Sequence, residues 1–173
     1  MNTQIYVGTY AKYNNGDLTG EWFDICNYSS AEALLDAFSD FFETGSMDVE
    51  WMIQDMEEHA EALGVEESMS LEDWEQVYEA LEALEKSYLD IEAVQAYCSN
   101  TGEPINSDSI REAEEAYQGT YDSDEEFAQD VAEEMGAINY DTSWPNSCID
   151  WELAARELMY DYFEMDGHYF RNL

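Results

Sequence analysis

The stretch IYVGTYAKYNNGDLTGEWFDIC, residues 5–26, decides how the chain begins to fold. IYVGTYA (5–11) is rich in β-branched and aromatic residues, NNGD (14–17) is a turn cluster, and GEWFDIC (20–26) reads as a returning strand. Ser29 and Glu32 then fit a capping box, with Ser at the N-cap. Leu34, Leu35, Phe38, Phe41 and Phe42 follow at helical spacing up to Gly45. Val49, Trp51 and Ile53 alternate with Glu50, Met52 and Gln54, which predicts a third strand. Residues 1–66 therefore read as a small α+β unit.

Working outward, residues 67–117 read as helical. Ser70 and Asp73 open a second capping box, and Trp74, Val77, Tyr78, Leu81 and Leu84 form an apolar stripe. A further helix is expected from Asp90 to Gly102, and another over 108–117. Residues 118–173 mix both types. Ser123 and Glu126 make a third capping box before Phe127, Val131 and Met135, with Gly136 as a stop, and Asp150 caps a helix bearing Leu153, Ala154 and Leu158. In YDYFEMDGHYFRN (160–172), Asp166-Gly167 between aromatic-rich runs is a strong hairpin signal. The fold class is α+β in three small units: a sheet plus helix, a helical middle, and a mixed C-terminal unit with a hairpin.

Charge sets the functional question. The chain has 42 Asp plus Glu against 5 Lys plus Arg, a formal charge of −37 in 173 residues. Between Lys12 and Lys86 lie 21 acids, and after Lys86 another 21, so the whole molecule is acidic rather than carrying an acidic tail. Apolar residues make up 45% and there are only two prolines, which is enough core material to exclude simple disorder. Such a field repels nucleic acid and anionic membranes and attracts basic surfaces. MNTQIYVGTY has neither the basic nor the apolar region of a signal peptide, and no apolar run reaches membrane-spanning length. Cys26, Cys98 and Cys148 are odd in number and widely spaced, as expected of reduced thiols.

Catalytic and metal signatures are weak. DSDEEF (122–127) resembles the start of a calcium loop, but Phe127 stands where the turn requires Gly, and a capped helix accounts for the same residues. His59 and His168 have no partner motif, so packing is expected of both. Nucleophile-elbow, zincin, P-loop and dinucleotide patterns are absent. No enzyme activity and no cofactor are expected.

The segment GTYDSDEEFAQDVAEEMGAINYD (119–141) holds eight carboxylates and no Lys or Arg. On a helix, Asp130, Glu133 and Glu134 lie one turn apart, about 4.5–6 Å along the axis. Each strand of duplex DNA carries a charge every ~3.4 Å. Spread at duplex density, 42 carboxylates would imitate roughly 70 Å of DNA, about 21 base pairs. One reading is a DNA mimic whose acids replace phosphates in a basic groove. Against it stand a purely solubilising acidic surface, a sink for basic proteins, and an acidic protein that sequesters some other DNA-binding protein.

The order of particular blocks adds to this. IYVGTYAKYNNGDLTGEWFD (5–24), VEWMIQDME (49–57), AYQGTYDSDEEFAQDVAEEMGAI (116–138) and IDWELAARELMYDYFEMDGHYFRN (149–172) resemble, in sequence and order, the ArdA antirestriction family. The resemblance implies an elongated, three-domain homodimer from mobile genetic elements, working in a bacterial cytoplasm. It implies mimicry of bent DNA at the DNA-binding site of type I restriction-modification enzymes, made by their specificity and modification subunits. Restriction, and often modification, would then be blocked without catalysis. The acids expected to meet the partner are Glu72, Glu75, Glu79, Glu82 and Glu85; Glu112 and Glu115; and Asp122, Asp124, Glu125, Glu126, Asp130, Glu133 and Glu134. The family dimerises through its C-terminal domain, which by position implicates Ala132, Met135, Ala137 and Ile138.

Overall fold

The computed structural model describes residues 1–44, 49–138, 141 and 143–173. Its first sheet is antiparallel, with β1 (Gln4–Thr9) between β2 (Glu21–Asp24) and β3 (Trp51–Met56). Ile5 and Val7 of β1 are fully buried. β1 stops at Thr9, whose hydroxyl accepts from the Lys12 amide and caps a short helix, α1 (Tyr10–Asn14). The expected strand over 5–11 is thus two residues shorter, and the Asn15-Gly16 turn leads back toward β2. Ile25 and Cys26, expected to extend β2, lie in a 3-10 turn capped by Asp24.

The next helix, α2 (Ala31–Phe41), is capped by Ser30 rather than by the expected Ser29. Ser30 is the last extended residue, and its hydroxyl accepts from the Ala33 amide at 3.3 Å. The expected stop at Gly45 lies outside the described residues. In β3 the expected alternation breaks. Tyr6 pairs with Asp55 but Val7 pairs with Ile53, so Gln54 is an extra, bulged residue, and Met52 and Ile53 are both buried.

Beyond the short α3 (Glu58–Ala62), α4 (Leu71–Lys86) begins at the Ser70–Asp73 capping box and buries Trp74, Val77, Ala80 and Leu84. It packs on α2, with Trp74 edge-on to Phe38 at 6.3 Å between ring centres. The Tyr78 hydroxyl donates to the Ile25 carbonyl, joining α4 to the first sheet's unit. α5 (Ile91–Thr101) runs from its Asp90 cap to Gly102, which adopts φ 76°, and α6 (Ser107–Ala116) is capped by Asn106.

The second sheet is also antiparallel, with β6 (His168–Arg171) between β4 (Tyr117–Thr120) and β5 (Tyr162–Met165). Its two faces serve different neighbours. Phe163 and Phe170 pair with each other and with Tyr97 of α5. Tyr162 and Tyr169 pack on the Phe127 ring of α7 (Asp124–Glu134), and α8 (Trp151–Leu158) lies along α7. At the hairpin, Asp166 (φ 52°) and Gly167 (φ 81°) both occupy the left-handed region, as a type I′ turn requires. Gly167→Ala is expected to cost about 1–2 kcal/mol, seen as a lower urea midpoint with unchanged slope.

The fold is elongated. Its accessible surface is 10516 Å², whereas a compact monomer of 20.0 kDa exposes roughly 8,700 Å². Two three-stranded antiparallel sheets with helices packed between and beside them make it α+β.

Candidate functional site

An amphipathic helix that buries one stripe presents the opposite stripe to solvent, and on α4 that stripe is acidic. Glu72, Glu75, Glu79, Glu82 and Glu85 are all exposed. They climb about 20 Å of axis in four steps of roughly 5 Å each. That is of the same order as the ~3.4 Å spacing along one DNA strand. Two concavities flank the helix. One, of about 750 Å³, opens toward the first turn of α2; the other, of about 840 Å³, opens toward α6 and includes Asp73, Glu79 and Glu112. On α6, Glu112 is half-buried and Glu115 exposed.

The acids around α7 are arranged differently. Asp122, Asp124, Glu126, Glu133 and Glu134 are exposed, and Glu125 and Asp130 are half-buried. Hydrogen bonds hold Asp124, Asp130 and Glu126 in place. The Tyr169 hydroxyl donates to Asp124 at 2.8 Å, the Tyr121 hydroxyl donates to Asp130 at 2.7 Å, and the Asp122 amide donates to Glu126. Two tyrosines of the second sheet region thus fix the rotamers of carboxylates on the overlying helix. No sequence signal marks these pairs, since Asp124 and Tyr169 are 45 residues apart.

Burial, and then the carboxylate each one faces, pushes the phenols of Tyr121 and Tyr169 well above the ordinary tyrosine range. In an unfolded chain a phenol ionises near pH ~10. The unfolded state therefore loses its protons first. The stability these two groups contribute is intact below about pH 10 and lost as pH rises past it. Combining Tyr121→Phe with Tyr169→Phe is expected to flatten the fall in urea midpoint between about pH 9 and 11. An equally steep fall in the double variant would refute the assignment.

Bases interrupt the acidic surface very little. Lys86 pairs with Glu82 at 2.6 Å, Arg111 with Asp108 at 3.1 Å and Arg156 with Glu152 at 3.3 Å, each within one helix. Lys12 lies over the Phe42 ring at 4.9 Å. Each of these three ion pairs is local and exposed, so it contributes little to stability. His59 acts as a strut: its Nδ1 accepts from the Asn2 amide at 2.7 Å and its Nε2 lies 3.4 Å from Glu92. Among the described residues no carboxylate is buried, and no group of three or more His, Cys, Asp or Glu is arranged to hold a metal ion. Nor is any helix among them long and apolar enough to cross a membrane.

The apolar residues near the end of α7 are largely in solvent. Met135 is 78% exposed, Ala137 is exposed, and Ala132 and Ile138 are half-buried. Trp144, 74% exposed, follows in the chain. These residues carry apolar area that the folded monomer does not cover.

No curated protein matches the chain. A family model described as antirestriction protein (ArdA) matches residues 5–171, spanning both sheets, all eight α-helices described above and both acidic groups. The chain belongs to the ArdA family of antirestriction proteins.

Proposed function

We propose that this antirestriction protein works as a DNA mimic, occupying the DNA-binding site formed by the specificity and modification subunits of type I restriction-modification enzymes. The observation that carries the reading is the α4 face, where five exposed glutamates repeat at roughly 5 Å of axis with a single lysine paired among them. The α7 group adds a second set of acids, with Asp124 and Asp130 preset by tyrosines. Fixed carboxylates lose less freedom on binding than mobile ones, which favours association.

In this reading the working unit is a homodimer closed through Ala132, Met135, Ala137 and Ile138, and the chain divides into units at 1–66, 67–117 and 118–173. The exposure of Met135 supports the first point. The confinement of the first sheet to Gln4–Met56 supports the second.

The test is a competition titration. A labelled duplex carrying a type I recognition site is bound to its methyltransferase core, and the protein is added at two salt concentrations. Displacement near stoichiometric amounts, weaker at the higher salt, is expected. A folded sample that displaces nothing in large excess at low salt would overturn the reading for that enzyme.

A further inference from the structure

The concavity between α2 and α4 has a property that simple charge mimicry does not call for: an apolar floor. Tyr28, Ala31, Tyr78, Leu81 and Leu84 line it beneath the acids, with Glu75, Glu79, Glu82 and Glu85 contributed by α4 and Glu32 by α2. The floor is rigid. Ala31 and Leu84 are buried, and the Tyr78 ring is held by its hydrogen bond to Ile25. Its volume of about 750 Å³ falls among pockets of roughly 300–1,000 Å³ that enclose whole ligands. It therefore has room for several side chains of a segment.

A phosphate array offers only charge to a basic protein. Here an aliphatic stem can leave water while its cationic head stays on a carboxylate, and a guanidinium can stack on a tyrosine ring. We propose that this groove receives an arginine-bearing amphipathic segment of the protein partner, its apolar side on the floor and its guanidinium groups on the glutamates. The proposal rests on the mimicry reading for the basic character of that partner. It adds a binding contribution that salt does not screen, because apolar burial is insensitive to the Debye length.

Cys26 lines the groove and is exposed, whereas Cys98 is buried. In the full-length Cys148→Ser variant, a biphenyl maleimide attached to Cys26 fills the groove and alters no charge. The probe is a synthetic helical peptide with arginines on one face and leucines on the other. A flexible Arg-Gly peptide of equal charge serves as control. At about 0.5 M salt, where charges are screened within a few ångströms, the unlabelled protein is expected to bind the helical peptide about tenfold or more tightly than the control. The label should abolish that preference. Leu81→Gln, which keeps the charge and makes the floor polar, should weaken it if the labelled protein fails to fold.

Equal binding of the two peptides, or a preference that survives both changes, overturns the groove assignment. So does a label-induced loss of self-association, which would give the groove to a second copy of the chain. The unlabelled protein's displacement of DNA from the methyltransferase core is scored separately, so a failure of mimicry and a failure of the groove are distinguishable.

Discussion

Replacing Glu72, Glu75, Glu79, Glu82 and Glu85 together by glutamine is expected to weaken binding to the methyltransferase core by a factor of about 5 to 4,000. An exposed charge pair contributes about 0.2–1 kcal/mol, so five give roughly 1–5 kcal/mol. The substitution also has an internal control. All five side chains are exposed, whereas Trp74, Val77, Ala80 and Leu84 form the buried stripe of the helix. Removing five like charges from a chain of −37 relieves self-repulsion, so the variant should be more stable at low salt while binding less well. Its affinity should also fall less steeply with added salt. An affinity within about twofold of the parent protein's, less than 0.5 kcal/mol, would remove α4 from the interface.

Trp74→Ala is expected to unfold the protein at low ionic strength and to allow refolding when salt is added. Trp74 is 1% exposed and connects α4 to Phe38 of α2. Truncating a buried aromatic of this size costs about 3–5 kcal/mol, against a total stability of about 5–15 kcal/mol for a domain. Self-repulsion lowers that total further until counterions screen it. Circular dichroism followed against sodium chloride would show the transition. A cooperative fold in low salt, with stability reduced by less than about 1 kcal/mol, would contradict it. Salt thus acts in opposite directions on the two processes, stabilising the fold and weakening its association.

Local chemistry made much of this architecture legible. The Ser70–Asp73 box, the helix from Asp90 to Gly102, the Asp150 cap and the Asp166-Gly167 turn each depend on a few adjacent residues, and each is found as read. At Ser123 only half of the expected box forms, because the Glu126 carboxylate accepts from the Asp122 amide rather than from that of Ser123. What stayed hidden depends on distant partners. YQGT forms β4 only because β6 pairs with it, and Gly119 sits at a register shift with φ 126°. Gly is a poor strand former and interrupts a run of only four residues, so propensity alone did not mark this strand. The bulge at Gln54 shifts which side chains of β3 face inward, and periodicity cannot reveal an inserted residue. The acidity of the candidate surface was legible from composition alone. The tyrosines that position Asp124 and Asp130, and the apolar floor beside α4, were not, because both are products of tertiary packing.

The strand order of the second sheet also sets the time at which the molecule can exist. The first sheet has all its strands once Met56 has been made. β4 at residues 117–120 has β6 as its strand partner, so it cannot pair before residue 171 is synthesised. Chains emerge from the ribosome at about 5–20 residues per second, and domains fold as their last contacts appear. Until then α5 and α6 lack the Phe163 and Phe170 rings that cover Tyr97. An interrupted translation product therefore leaves this aromatic cluster unroofed and open to proteases.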